Sequence, residues 1–118
     1  MQLKSYTDLE QGRKLAEFLP LESADMHWQY IEEDNGQLQW FYFPKDFSIN
    51  QHDNIPCWSL AALLNVLPSA TLDSSDDHYY RVHCNEKFTE WHDNPIDACV
   101  EIIDRLHEQM IYDFNNNS

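Results

Sequence analysis

The chain has 118 residues, 42% of them hydrophobic and 14% aromatic, which is enough for one domain with its own core and argues against wholesale disorder. Seven Lys and Arg face 21 Asp and Glu, a formal net charge of −14, and no Lys or Arg occurs between Asp46 and Tyr80; such a surface repels a phosphate backbone and disfavours direct binding of DNA or RNA. With Gly12 and Gly36 the only glycines, neither usual glycine-rich phosphate loop can be written.

In chain order, Thr7-Asp8-Leu9-Glu10 has the form of a capping box opening a first helix. Leu15, Phe18 and Leu19 give that helix an apolar stripe, and Pro20 stops it. Gly12 weakens it slightly. His27 to Glu32 alternates aromatic and polar residues as a half-buried strand does. Glu33-Asp34-Asn35-Gly36 supplies a turn, Gln39 to Phe43 returns, and Pro44 ends the strand. Lys45 to Asn54 reads as a polar loop.

Ile55 to Leu67 follows, IPCWSLAALLNVL. Pro56 suits a first helical position, and the residues after it are apolar on almost every side, so a central helix near 56–67 is expected. Ser69 to Asp77 reads as an acidic loop. Tyr79 to Cys84 and Lys87 to His92 form a second hairpin around Asn85-Glu86. A two-residue turn there would set Arg81 opposite Glu90 and Tyr80 opposite Trp91, and a different loop length would change those partners. Asn94-Pro95 opens the last helix, with Ile96, Cys99, Val100, Ile103, Leu106 and Met110 on one face. The expected fold is α+β, in the order α-β-β-α-β-β-α: an antiparallel sheet with helices mainly on one face, one domain over 1–112, and a frayed tail over 113–118.

Cys57, Cys84 and Cys99 are odd in number and form no CxxC. Met1 to Pro20 is charged and amphipathic rather than basic-then-apolar. Both features lead to the expectation of free thiols and a cytoplasmic setting. Ile55 to Leu72 is uncharged but carries Pro56, Ser59, Asn65, Pro68, Ser69 and Thr71, which argues against a membrane span.

Five constellations bear on chemistry. Cys57 in the first turn of a helix would have a lowered pKa, and His83 or His92, oriented by Asp93 or Asn94, would serve as its base. The Cys57-Trp58 pair faintly resembles the nucleophile helix of papain-like cysteine peptidases, but the glycine-rich lead-in is missing. The core reading is the stronger, because Cys57 continues the stripe of Leu60, Ala61 and Leu64. No residue is therefore assigned as catalytic, and Cys57, His83 and His92 are the candidates of a competing thiol-hydrolase reading.

His78, His83, Cys84 and His92, with His52-Asp53 nearby, contain no compact ligand pair, and neighbours His83 and Cys84 point to opposite strand faces. Neither a metal nor a cofactor is assigned. No carboxylate pair stands apart for acid–base work among so many acids. Asp97, Glu101, Asp104 and Glu108 share one helix face at i, i+4, i+7, i+11. They are either a solvated face or a binding face that imitates phosphates, with Arg105 and His107 diluting it. The aromatics Trp28, Tyr30, Trp40, Phe41, Tyr42, Phe43, Tyr79, Tyr80, Phe88 and Trp91 exceed what one sheet face needs. They read as core or as a protein-binding patch.

At Val82 to Val100, VHCNEKFTEWHDNPIDACV, with Pro-Cys-Trp-Ser-Leu upstream, the chain resembles small uncharacterised proteins encoded on prophages and other mobile elements of gut anaerobic bacteria. The resemblance implies an accessory role and carries no catalytic residues. The expectation is a small, acidic, non-enzymatic protein acting through protein contacts, with a basic partner or as a homodimer. A nucleic-acid mimic or immunity-type inhibitor is a variant of that class.

Overall fold

The computed structural model describes residues 4–32, 36, 38–44, 55–84 and 86–109, the side chains of 30–32 and 38–44 excepted. The expected loop at 45–54, most of the first hairpin's turn, Met110 and the tail at 113–118 lie outside the described residues. The α+β class holds, and the elements expected in the order α-β-β-α-β-β-α are all present in that order, with one further strand on either side of the central helix. The helices are α1 (Leu9–Leu15), α2 (Leu60–Val66) and α3 (Pro95–Glu108). The strands are β1 (Met26–Glu32), β2 (Leu38–Pro44), β3 (Ile55–Cys57), β4 (Ala70–Ser74), β5 (Tyr80–Cys84) and β6 (Lys87–Phe88). They form two antiparallel sheets, ordered β2-β1-β3 and β4-β5-β6.

Two of these strands flank the central helix where the sequence pattern suggests otherwise. Ile55–Cys57 is strand, not the first turn of a helix, and Pro56 pairs with His27 on the sheet edge, where the missing N–H costs no ladder bond. α2 begins at Leu60, capped by the Ser59 hydroxyl, which accepts from the Ala62 N–H. Ala70–Ser74 lies in the stretch expected as acidic loop and pairs with β5 along its whole length.

The N-terminus also differs in detail. Asp8, not Thr7, caps α1, in a reciprocal box with Gln11. Thr7 is fully buried and bonds to Trp58 instead. Its N–H donates to the Trp58 carbonyl (2.9 Å), and its hydroxyl accepts from the Trp58 N–H (3.0 Å). The Trp58 side chain is fully buried with its indole N–H on Ser23 Oγ (3.0 Å). It belongs to the core with Leu63, Val82, Cys84, Ile96, Cys99, Ile102, Ile103 and Leu106, where α2, α3 and the inner face of β5 meet. Truncating an aromatic side chain so placed costs about 3–5 kcal/mol.

In the second hairpin, Cys84 pairs with Lys87 and His83 with Phe88, as a two-residue turn requires. Tyr80 then pairs with His92 through two backbone bonds of 2.7 Å, so three residues of the second arm face two of the first. This extra residue shifts Tyr80 from Trp91 to His92. Arg81 finds its carboxylate across the other ladder, on Asp73 of β4 (3.3 Å).

Gly12 has a packing reason to be glycine. α1 lies so close to β3 that a Cβ at this position would overlap the Pro56 carbonyl oxygen and crowd Ile55 Cγ2 at 3.2 Å. Gly12→Ala would gain about 1 kcal/mol of helix propensity and lose about 1–3 kcal/mol to overpacking against backbone that cannot swing aside. The urea midpoint of the variant is expected to fall; a rise would mean that α1 does not rest on β3.

Candidate functional site

Cys57, His83 and His92 are not brought together. Cys57 sits in the first sheet, fully buried, with its thiol on the Thr7 carbonyl (3.4 Å). Burial pushes that thiol up to about 11, the reverse of what a nucleophile requires. The helix start that would have lowered it lies beyond, at Leu60. Cys84 and Cys99 are buried too; burial raises both, Cys99 to about 12. His83 is on the second sheet with Nδ1 3.7 Å from Asp73 Oδ2, and His92 bonds Glu101 (2.7 Å). Among the described residues no three His, Cys, Asp or Glu side chains are grouped to hold a metal ion. None of the described helices is long and apolar enough to cross a membrane.

The acidic stripe of α3 is largely turned inward. Asp97 accepts from Lys4 Nζ (3.1 Å), Gln11 Nε2 (2.8 Å) and Asn94 Nδ2 (2.9 Å). Glu101 takes His92, Arg105 (2.9 Å) and the Glu90 N–H (3.2 Å). Asp104 takes Lys14 (3.0 Å) through Oδ2, while its Oδ1 is buried without a hydrogen-bond partner. Glu108 alone of the four is exposed. Sequence spacing puts these carboxylates on one face, but their partners come from α1, the N-terminal segment and the 88–92 arm. With Ala98 and Ile102 buried as well, α3 is enclosed on most sides and the stripe is a polar seam.

The seam sets its own protonation. Burial pushes the Asp97 carboxyl up, and hydrogen bonds from Asn94, Gln11 and Lys4 together overcome it, leaving it below its ordinary value of 3.8. For Lys4, burial lowers the pKa and the bonds to Asp8 and Asp97 more than restore it, to above 10.5. A cleft of about 680 Å³ opens here between Lys4, Tyr6, Trp28, Asp93 and Asn94. Lys4 and Asn94 on its wall both donate to Asp97, so a polar ligand would have to break those bonds first.

A different surface has the composition of a binding site. Tyr79, Phe88 and Trp91 are 45%, 49% and 44% exposed. The Arg81 guanidinium lies 4.9 Å from the Phe88 ring centre and 4.6 Å from that of Trp91, with its Nε on Asp73. His83 packs against the same Phe88 ring at 5.0 Å. This is the outer face of β4-β5-β6; Val82 and Cys84, one residue either way along β5, point into the core. Asp76, Asp77, Glu86 and Glu90, close in sequence to these aromatics, are exposed. The arm carrying Phe88 and Trp91 is held by α3: Arg105 donates to the Phe88 carbonyl (2.8 Å), and Glu101 accepts from Glu90 and His92. Three of these aromatics' positions are legible as aromatic excess. The placement of Arg81 between two rings is not, because it depends on the extra residue before His92.

Compared with known proteins, the chain matches no protein-family model, no curated protein and no solved structure.

Two outcomes follow from the seam and the thiols. Asp97 contributes stability that is fully present above its unfolded value and is lost as pH falls through its lowered folded value. Asp97→Ala is therefore expected to lower stability by about 1–2 kcal/mol near neutral pH. It should also flatten the acid limb of the stability–pH curve below about pH 4; an unchanged limb would mean the three bonds do not persist in solution. Alkylation of the folded protein should leave Cys57, Cys84 and Cys99 unmodified until denaturant is added. Rapid labelling of Cys57 at neutral pH would restore the thiol-enzyme reading.

Proposed function

We propose that the protein is a non-enzymatic binding protein that engages a basic protein partner through the outer face of β4-β5-β6. The observation that carries this reading is the exposed aromatic group Tyr79, Phe88 and Trp91 gathered around Arg81. Tyr, Trp and Arg are the residues that dominate binding energy at protein interfaces. Here they are already ordered: the guanidinium is fixed by Asp73 and by two rings, and the 88–92 arm by Glu101 and Arg105. Side chains fixed before binding lose little entropy when they bind.

Charge selects the partner's sign. Exposed Asp76, Asp77, Glu86 and Glu90 lie within three residues of these aromatics in the chain, and the molecule as a whole carries −14. Approach of a basic surface is steered by that field and approach of an acidic one is opposed. The α3 stripe is less suited to this role, since Asp97, Glu101 and Asp104 are engaged within the fold. An accessory role of this kind accords with what the resemblance to mobile-element proteins implies.

The test is a titration with short peptides that alternate lysine or arginine with valine or threonine, at rising salt. Binding is expected to weaken with salt and to fall at least about tenfold in Trp91→Ala and in Phe88→Ala. Both rings are about half exposed and rest on Arg81, so either substitution should lower stability by about 1–2 kcal/mol and leave the fold intact. If both variants bind as the wild type does, the aromatic face is not the site.

A further inference from the structure

We infer that the basic partner segment binds as an added β-strand along the edge of β4 that no described strand pairs, beside the aromatic face; the inference rests on the reading above and names its mode. The hydrogen-bond pattern of the second sheet decides which backbone groups are available. Tyr80 directs its N–H and carbonyl to His92, and Val82 directs its own to Thr89, whose hydroxyl and N–H meet them at 3.0 Å. Residues 80 and 82 therefore face the β6 side, and Arg81 and His83 face β4. Their register partners are Asp73 and Thr71. By alternation the N–H and carbonyl groups of Ala70, Leu72 and Ser74 point away from the sheet, where no further described strand lies.

Such an edge is a template for another strand, and proteins usually blunt it with lysine, proline, a bulge or a covering element. β4 has no Lys and no Pro, and its five pairs with β5 run without interruption. The contrast with β3 is direct: that edge strand is three residues long, carries Pro56 and has α1 packed against it at Gly12.

The chemistry of the occupant follows from the two faces it would extend. On the inner face it would continue the row of Ala70 and Leu72, which pack against the core and favour an apolar neighbour. On the outer face it would lie beside Asp73, with Asp76 and Asp77 beyond the strand end, which favours Lys or Arg. A segment alternating basic and apolar residues satisfies both. A second copy of this chain is disfavoured, because it would bring −14 against −14.

Amide hydrogen exchange read residue by residue on the full chain tests this, with a lysine–valine alternating peptide as the probe. Saturating peptide is expected to slow exchange at Leu72 and Ser74 by at least about tenfold, because their free N–H groups become ladder donors. Ser74→Pro removes one outward donor from an exposed position and should weaken the peptide about tenfold while Trp91 remains able to report binding. If the peptide binds and Trp91→Ala weakens it, but exchange at Leu72 and Ser74 does not change, the segment lies across the face and the edge inference is overturned while the binding function stands. If the peptide does not bind at low salt, both are overturned. If protection at Leu72 and Ser74 rises with protein concentration in the absence of peptide, a second copy occupies the edge and the inference is overturned.

Discussion

Thr7 uses its N–H, its hydroxyl and its carbonyl at once. The first two close on the Trp58 backbone, and the carbonyl takes the Cys57 thiol and the Trp28 indole N–H (3.2 Å). Thr7, Cys57 and Trp58 are fully buried, where an unpaired backbone group costs about 1–3 kcal/mol. The consequences spread in both directions along the chain. The N-terminal segment is pinned beside β3, which brings α1 against Pro56 and demands glycine at position 12. It also places Lys4 and Gln11 over Asp97. On the other side, Trp58 is delivered into the core immediately before Ser59 caps α2. Asp25 fixes that cap by accepting from both the Ser59 N–H and its hydroxyl.

With only seven Lys and Arg against 21 acids, where the cations go matters more than where the acids go. Lys4, Lys14 and Arg105 all serve the α3 seam, joined by His92. Three carboxylates that could have formed a phosphate-like surface instead join α3 to the N-terminal segment, to the β6 arm and to α1. Among the described residues, the exposed acids Asp76, Asp77, Glu86 and Glu90 enter no ion pair. Of the seam carboxylates, Glu101 also holds the 88–92 arm, while Asp97 and Asp104 tie α3 to the N-terminal segment and to α1.

The elements with local signals were legible. Asn94 caps α3, accepting from the Asp97 N–H at 2.8 Å, and Pro95 takes the first position, as the Asn-Pro pair suggests. Gly36 has φ +81°, in keeping with an Asn-Gly turn. Ile55–Cys57 was not legible, because a short apolar run reads equally as buried strand or buried helix, and Pro56 suits both an edge strand and a first helical turn. Ser59 was the available cue, a cap residue directly before LAALLNV. β4 hid for another reason: as an edge strand with one face solvated it is polar, and its partner lies across the turn that contains His78 at φ +65°. The acidic stripe was visible as a spacing, but its character was set by Lys4 and Lys14, about ninety residues away in the chain.

Glu101 links these themes. Its carboxylate is part of the seam by position, yet what it holds is the 88–92 arm, through the Glu90 N–H and the His92 ring, with Arg105 beside it reaching the Phe88 carbonyl. Tyr80 pairs with His92 only because that arm carries one extra residue, and the same residue sets Trp91 over Arg81. An isolated two-residue strand such as β6 has too few ladder bonds to hold two exposed aromatic rings in register. The helix supplies what the strand lacks. The aromatic face is thus an outgrowth of α3 packing as much as of the sheet, and its order depends on a carboxylate of the α3 seam.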